Sequence, residues 1–216
     1  MVLDTRIGLP DLPVSGPAVF AGDDACLTVG LLVSLGAVRE GRPLLVVDGA
    51  NAFDPFLVAD LARRGGLRPR ALLDRIRLSR VFTCHQLEAL LRGRLLAAAS
   101  RWEAGAVYVS GPLDPLLDEE VPVGEARRIF RLIPPTVRQL QGAGYRVVIA
   151  CPPPQAVPGR EEFFPALCRE AGWVFTVARL PDAGDPGAVR ITCTAPRPAA
   201  WTWEPRIGLI TPRRWW

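Results

Sequence analysis

Residues 44–55 read Leu-Leu-Val-Val-Asp-Gly-Ala-Asn-Ala-Phe-Asp-Pro, and this stretch decides the fold class. The run Leu44–Val47 is apolar on both faces and ends in an acidic residue, which is typical of a buried parallel strand. Asp54 followed by Pro55 is typical of a helix start, because aspartate caps free amide groups and proline suits the first turn. The stretch therefore predicts a strand, a loop and a helix in succession.

The same alternation continues in both directions and indicates an α/β fold. Such a chain is expected to form a doubly wound, mainly parallel sheet flanked by helices, with ligand sites at the carboxyl ends of the strands. A turn-rich linker, residues 181–187, predicts that the last two strands form an antiparallel hairpin. Strands are predicted at residues 17–21, 44–48, 77–82, 106–109, 145–150, 173–180 and 188–194, and helices ending near Arg39 and over 54–64, 85–101, 123–141 and 161–170. The 123–141 helix should break at Pro134-Pro135.

Length and composition suit one compact domain. The chain has 216 residues, of which 49% are hydrophobic and 22% charged, as in globular proteins. No apolar run reaches the roughly 18–20 residues that span a bilayer, and the N-terminus shows no secretion signal. We therefore expect a cytoplasmic protein with no membrane partner. Residues 1–16 form an N-terminal arm, 17–195 the core domain, and 196–216 a tail rich in proline, tryptophan and arginine.

Charge and cysteine content narrow the chemistry. All 26 basic residues are arginine, so Schiff-base chemistry and a phosphate loop with its own lysine are excluded. The net charge of +4 permits an anionic partner without requiring one. The cysteines show no C-x-x-C spacing, which predicts buried thiols, no disulfide framework and no metal site. They are Cys26, Cys84, Cys151, Cys168 and Cys193.

Residues 22–29 stand where a phosphate-binding loop would follow the first strand. Such a loop needs glycines for backbone approach, a lysine for the terminal phosphates and a Ser/Thr hydroxyl for Mg²⁺. Gly22 is present, but Thr28 takes the place of the lysine. Asp23 and Asp24 add two carboxylates, which repel phosphate. These four residues are the candidate remnants of a degenerate nucleotide-binding loop, with a helix expected after residue 29.

Over roughly residues 17–195, the order and spacing of these segments resemble the core of the RecA/RadA recombinase family. Residues 47–55, Val-Asp-Gly-Ala-Asn-Ala-Phe-Asp-Pro, look like that family's strand ending D-A-E-x-x-x-D-P. Residues 80–86, Arg-Val-Phe-Thr-Cys-His-Gln, are similar to a strand-to-helix junction that often carries a His-Gln pair in archaeal members. The resemblance implies a RecA-like sheet and a role in DNA recombination or repair.

The departures from the family pattern all concern nucleotide hydrolysis. The position of the catalytic glutamate holds Ala50, the strand-end aspartate that supports Mg²⁺ is Ser110, and the phosphate-sensing glutamine is Pro152. Thr28 and Val29 replace the lysine and the metal-binding hydroxyl. Phosphoryl transfer depends on positioned positive charge and metal. The resemblance therefore implies that the fold is retained and the ATPase lost: no catalytic residue, no metal and no cofactor, with ATP and Mg²⁺ disfavoured.

One predicted helix carries three arginines that could contact a partner. Arg127, Arg128 and Arg131 have helical spacing and could touch backbone phosphates. The alternative is an exposed face balanced by the glutamates of residues 119–125.

The tail offers a second contact surface. Arginine interleaved with tryptophan suits single-stranded nucleic acid, since bases stack on rings and guanidinium groups meet phosphates. It equally suits a protein partner, because both residues dominate interface hot spots. A third option is that the tail covers an edge of its own sheet. The residues concerned are Trp201, Trp203, Arg206, Arg213, Arg214, Trp215 and Trp216.

Two further clusters carry weaker signals. Cys84 and His85 are adjacent and could form a nucleophilic pair, but a packed cysteine beside a locally hydrogen-bonded histidine explains them equally. The acidic residues within 113–120 could bind a divalent ion or could form a solvated loop.

Our leading hypothesis is a non-catalytic RecA/RadA-like protein with an accessory or regulatory role in DNA recombination or repair. Its expected partners are single-stranded DNA, a recombinase or another repair protein, with a homo-oligomer as a further option. The alternatives are a nucleotide-binding protein with an atypical phosphate loop, and a protein-interaction module unrelated to DNA.

Overall fold

The computed structural model of the chain describes residues 16–39, 41–154, 157–180, 188–195 and 202–203. Within these residues, eight strands and nine α-helices follow one another in an α/β order. The strands are β1 Ala18–Gly22, β2 Leu44–Asp48, β3 Ile76–Arg80, β4 Ala106–Ser110, β5 Arg146–Ala150, β6 Trp173–Arg179, β7 Val189–Ala195 and β8 Thr202–Trp203. The helices are α1 Ala25–Ser34, α2 Gly36–Arg39, α3 Pro55–Arg64, α4 Pro69–Leu73, α5 Cys84–Ala89, α6 Leu95–Arg101, α7 Val123–Phe130, α8 Ile133–Gly142 and α9 Phe163–Glu170.

All eight strands belong to one sheet in the order β3-β2-β4-β5-β1-β6-β7-β8. The pairs from β3 to β6 are parallel, whereas β6–β7 and β7–β8 are antiparallel. The predicted fold class is confirmed: a mainly parallel sheet flanked by helices, closed by a C-terminal antiparallel hairpin. The carboxyl ends of β2, β4, β5 and β1 lie side by side as a result.

The sheet is covered on both faces, as parallel sheets require. One apolar core lies between the sheet and helices α1 to α4, and it includes stacked Phe20 and Phe175 with ring centroids 4.9 Å apart. A second core lies between the opposite face and helices α5 to α9, and it includes stacked Phe130 and Phe163 at 4.6 Å. Each strand of the centre therefore alternates its side chains between two buried layers.

Two predicted helices are divided differently from the expectation. The single helix predicted over 85–101 is interrupted by a kink at Arg92 and Gly93, where Gly93 adopts a φ of 102° and leaves the helical conformation. The break predicted at Pro134-Pro135 lies two residues earlier, between α7 and α8. Both prolines occupy the first turn of α8, where the missing amide and the fixed φ cost nothing.

The tail contributes one short strand. Residues 202–203 form β8, which pairs with β7 through Ile191 and Trp203. For these two residues, the pairing agrees with the option that the tail covers an edge of its own sheet. It extends the sheet beyond the hairpin by one strand.

Two expectations from composition can be compared with the structure. All five cysteines are free; Cys168 is half-buried and the other four are buried, which confirms that no disulfide framework supports the fold. Among the described residues, no helix is both long and apolar enough to cross a bilayer.

Helix α1 is seated on the sheet through a glycine. A Cβ atom at Gly30 would lie 2.9 Å from Tyr108 Cε2 and 2.9 Å from the Ala150 Cβ. The Tyr108 hydroxyl donates a 2.6 Å hydrogen bond to the carbonyl oxygen of Leu27, one turn earlier. The absence of a side chain at Gly30 thus sets how closely α1 approaches β4 and β5.

We expect Gly30→Ala to lower the free energy of unfolding by about 1–2 kcal/mol. The overpacking cost exceeds the gain of up to about 1 kcal/mol that alanine brings to a helix. Gly124→Ala in α7 is the matched control, since a Cβ there meets no atom within 4 Å. This control should be neutral or stabilising. Urea denaturation measures both, and equal stabilities of the two variants would contradict the close seat of α1.

Candidate functional site

The junction between β1 and α1 is held tightly against β6. Gly22 adopts a φ of 111°, and a Cβ atom there would collide with the carbonyl oxygen of Val177. The amide of Asp23 donates a 2.9 Å hydrogen bond to the same oxygen. Only Asp23 and Asp24 separate the last residue of β1 from the first residue of α1. The helix therefore begins at Ala25, not after residue 29 as the sequence predicted, and Thr28 lies half-buried within α1.

Arg179, the last residue of β6, occupies this junction from the other side. Its backbone amide donates to the Asp23 carboxylate. Its guanidinium donates to Asp24 Oδ1 from Nε at 3.1 Å and from Nη2 at 2.7 Å. The Asp24 side chain is 65% exposed, so its ion pair with Arg179 adds little to stability. The pair nevertheless places one guanidinium and two carboxylates at the junction where a phosphate-binding loop was predicted.

The pKa of the Cys26 thiol reflects burial and negative charge at the start of α1. Burial raises the pKa of this thiol to about 12, and the charges of Asp24 and Asp23 raise it further. The amides of Cys26 and Leu27 donate to the carbonyl oxygens of Asp23 and Asp24 at 2.8 and 3.0 Å. An anion at this helix start thus meets repulsion from both carboxylates, the opposite of what a phosphate site needs.

Asp48, at the end of β2, organises the turn that follows. Its carboxylate is fully buried and accepts hydrogen bonds from the amides of Ala52 and Phe53, both at 3.0 Å. Ser110 Oγ donates to Oδ1 at 2.7 Å, and Arg80 Nε lies 3.8 Å from Oδ2. Both carboxylate oxygens thus accept hydrogen bonds from protein groups, so Asp48 stabilises the turn after β2.

The carboxyl ends of β2 and β4 are closed by backbone contact. A Cβ at Gly49 would collide with the carbonyl oxygen of Gly111, and the Gly49 amide donates to the Ser110 oxygen at 2.8 Å. Burial, followed by the charge of Asp48, raises the pKa of nearby Asp114. The close approach leaves the space between these two strand ends filled by main chain.

The positions aligned with the recombinase family lie together at this edge of the sheet. Gly22, Ser110 and Pro152 stand at or just after the ends of β1, β4 and β5, and Ala50 follows β2 by two residues. Ala50 donates its amide to the Ser110 carbonyl oxygen at 3.2 Å, a purely structural contact. The topology therefore brings the predicted positions together, although the side chains there carry no phosphate-binding or base chemistry.

The arginines of α7 are engaged to different degrees. Arg127 Nε donates to Glu162 at 3.1 Å. Arg128 donates through both Nη atoms to Glu88, and its hydrogen bonds, with those of Arg92, lower the pKa of Glu88 to about 2. Arg131 is exposed and has no acidic partner in the part of the chain that the structure describes. The balanced-face alternative thus applies to Arg127 and Arg128, although Glu162 and Glu88 are their main partners.

The Cys84–His85 pair lacks the geometry of an activated nucleophile. Cys84 is buried, and this burial together with Glu125 raises the pKa of its thiol, whereas reactive cysteines have a lowered pKa. His85 is exposed and its Nδ1 lies 3.7 Å from Glu125 Oε1. The Thr83 hydroxyl caps α5 by accepting a 3.2 Å hydrogen bond from the Gln86 amide, so Cys84 and His85 form the first turn of this helix.

A buried arginine holds the acidic loop after β4. Arg160 is 3% exposed and donates to the carbonyl oxygens of Asp118, at 2.8 Å, and Val121. No local pattern predicted this tether, because Arg160 lies in a proline- and glycine-flanked loop 39 residues or more from its partners. Among the described residues, no group of three histidine, cysteine, aspartate or glutamate side chains could hold a metal ion.

The contact residues predicted in the tail mostly lie outside the described residues. This applies to Trp201, Arg206, Arg213, Arg214, Trp215 and Trp216. Trp203 is placed by its backbone alone, in β8 beside Ile191.

We expect Asp48→Ala to lower the free energy of unfolding by about 3 kcal/mol, because two amides and the Ser110 hydroxyl lose their acceptor. Asp60→Ala is the control: its ion pair with Arg63 is exposed, so we expect a change within about 0.5 kcal/mol. Urea denaturation measures both. A loss below about 1 kcal/mol for Asp48→Ala would show that the turn after β2 forms without its carboxylate.

Comparisons with known proteins assign no family to the chain. No protein-family model matches the chain, and no curated protein matches it. The resemblance to the recombinase family therefore stays a prediction from the sequence.

Proposed function

We propose that this chain is a RecA/RadA-like protein that does not hydrolyse nucleotide and acts in DNA recombination or repair through DNA or protein contacts. Its role is accessory or regulatory. The family and the process come from the resemblance of the sequence segments, and the loss of hydrolysis comes from the site itself.

The observation that carries the proposal is the occupied junction between β1 and α1. A phosphate loop needs a run of free amides around an open cradle, yet here two residues connect strand and helix and the first amides bond within the turn. The guanidinium at this point, from Arg179, is engaged by Asp24. The positions at the start of α1 that would hold a lysine and a metal-binding hydroxyl are Thr28 and Val29. No lysine there neutralises the charge of a terminal phosphate, and Val29 has no oxygen that could bind Mg²⁺.

The basic surface supports a nucleic-acid partner. Every basic residue is arginine, whose planar guanidinium binds phosphate in two-point geometry and stacks on bases. A protein that binds a partner and does not catalyse phosphoryl transfer can keep the same sheet without catalytic side chains at the ends of its strands.

A second candidate, a protein-interaction module, is favoured by two exposed aromatic residues. Phe56 at the start of α3 and Phe82 after β3 are each 63% exposed, and the segments that carry them are linked by a hydrogen bond from Arg80 to the Phe53 oxygen. Phenylalanine and arginine are both enriched in protein–protein interfaces relative to the rest of the surface. A recombinase or another repair protein is the partner that this candidate implies.

We expect no ATP binding in the presence of Mg²⁺ by isothermal titration at ATP concentrations up to about 1 mM. The control variant Asp23→Asn/Asp24→Asn removes both carboxylates and should still not bind, because the cradle is absent regardless of charge. Wild-type binding tighter than about 100 μM would overturn the non-catalytic proposal and favour the atypical nucleotide-binding alternative.

We expect binding to fluorescently labelled oligo(dT), with an affinity that falls as salt rises, because phosphate contacts release counterions. Fluorescence anisotropy at two or more salt concentrations measures this. Deletion of residues 199–216 then assigns the tail: a weakened affinity places the tail in the contact, and an unchanged affinity removes it. Absence of binding at low salt would refute the DNA part of the proposal and leave the protein-interaction module.

A further inference from the structure

Positive charge is concentrated in the segment between the end of α3 and the end of β3. Residues 63–80, which run from the end of α3 through α4 and β3, contain seven arginines and one acidic residue. Their net charge of +6 exceeds the +4 of the whole chain, so the remaining residues are slightly acidic. Such a local excess is the electrostatic footprint of a polyanion-binding surface.

The fold places the part of this segment that precedes and opens β3 at the amino end of the sheet, whereas Arg80 ends β3 beside Asp48 at the carboxyl end. The Leu44 amide donates to the Arg75 carbonyl oxygen at 2.9 Å, and the Gly105 amide to the Pro43 oxygen at 2.8 Å. The Arg42 guanidinium donates to the Ala104 oxygen at 2.7 Å. These contacts join the starts of β2, β3 and β4 into one surface, which we call the arginine corner. We assign to it Arg42, Arg75, Arg77, Arg101 and Trp102, which lie at or beside these strand starts, and Arg63, Arg64, Arg68 and Arg70 from the α3–α4 segment that leads into β3.

The acidic residues near the corner neutralise few of its arginines. Asp60 pairs with Arg63, and Asp74 pairs with Arg70 at 3.7 Å. Both pairs are exposed and consequently weak. Arg64, Arg68 and Arg75 are exposed and have no acidic partner within the described ranges. Among the described residues, three guanidinium groups are thus available to an external anion without the loss of an ion pair.

An exposed tryptophan supplies the second component of the corner. Trp102 follows α6 and is 40% exposed. The Arg77 guanidinium carbon lies 4.2 Å from the centre of its ring, and that of Arg101 lies 5.7 Å away. Arg77 is held in turn by its hydrogen bond to the Asp74 carbonyl oxygen at 2.7 Å. A partly exposed indole is therefore positioned by a hydrogen-bonded arginine next to the start of β3.

We propose that the arginine corner binds single-stranded nucleic acid. The guanidinium groups of Arg64, Arg68 and Arg75 contact backbone phosphates, and the exposed part of Trp102 stacks on an unpaired base. Stacking distinguishes this ligand from a duplex, whose bases are already stacked. It also distinguishes it from an acidic protein surface, which offers charge but no flat bases. The ligand class rests on the proposed function, whereas the location rests on the charge and contacts of the corner.

The corner differs from the other candidate arginine surface in its charge balance. On α7, Arg127 and Arg128 are each hydrogen-bonded to glutamates, and Glu125 adds a further negative charge beside Arg128. An approaching phosphate must displace these carboxylates or accept their repulsion. At the corner the three unpaired arginines impose no such cost, so we place the phosphate contacts there.

The test compares two triple variants that lose the same charge. Arg64→Gln/Arg68→Gln/Arg75→Gln should weaken oligo(dT) binding at least tenfold at about 0.1 M salt and reduce the slope of log K against log salt by about 2, at about 0.7 per single-strand phosphate contact. Arg127→Gln/Arg128→Gln/Arg131→Gln, the matched control, should weaken it less than threefold. Both sets are exposed, and circular dichroism with thermal melting confirms that each variant is folded.

Substitutions of Trp102 separate stacking from charge. Trp102→Ala should weaken oligo(dT) binding about tenfold with an unchanged salt slope, because no phosphate contact is lost, and Trp102→Phe should restore most of the affinity. Intrinsic fluorescence of the wild type should be quenched by oligo(dT) and less so in Trp102→Phe. A thermal melt identifies any loss caused by unfolding.

The outcomes distinguish the inference from the proposed function. If the wild type binds oligo(dT) and the corner variant binds equally well, the corner is overturned while the DNA role stands. Equal losses in both triple variants indicate charge attraction without a site and also overturn it. If the wild type binds only duplex DNA, anionic vesicles or no polyanion, the single-strand assignment fails, and in the last two cases the proposed DNA role fails with it.

Discussion

The close approach of Gly22 to the Val177 carbonyl oxygen is the constraint on which the centre of the molecule depends. Because β1 is paired with β6 up to its last residue, the chain must leave the sheet at Gly22, in a conformation that a side chain would block. Two residues then suffice to start α1, and Gly30 lets that helix lie against Tyr108 and Ala150. The same geometry that seats α1 removes the loop length in which amides could surround a phosphate. The short loop after β1 and the close packing of α1 thus have one structural cause.

Electrostatics differ between the two ends of the sheet. At the carboxyl end, Asp48 is saturated by amides and a hydroxyl, and Asp24 is held by Arg179. Burial, followed by neighbouring carboxylates, raises the pKa of Cys26 and of Asp114 at this end. At the amino end, arginines outnumber acids and three have no internal partner among the described residues. Ligands of α/β folds commonly approach the carboxyl ends of strands. In this chain that end is acidic and closed by backbone, whereas the amino end attracts anions.

The sequence predicted what depends on local patterns. The apolar run before Asp48 gave the bounds of β2, Asp54-Pro55 gave the start of α3, and the turn-rich linker gave the hairpin, since each signal lies within its own element. The contacts that define the candidate site join distant segments. Arg179 lies 155 residues from Asp24, and no pattern in either neighbourhood connects them. The start of α1 was misplaced for the same reason: two aspartates indicate a loop, and only the position of Val177 determines how short it is.

The contacts of Trp102 follow from the fold and could not be predicted from its neighbours in the sequence. It ends a helix of ordinary composition, and Arg77, the residue that fixes its ring, lies in the edge strand of the sheet. The strand order matters here, because β4 lies beside β2, which lies beside β3, so the loop before β4 meets the turn before β3. An insertion of another strand between β2 and β4 would move the indole away from the arginines by about 5 Å, the spacing of adjacent strands. The combination of an aromatic ring with guanidinium groups is consequently a property of the topology, and it does not depend on the chemistry at the opposite end of the sheet.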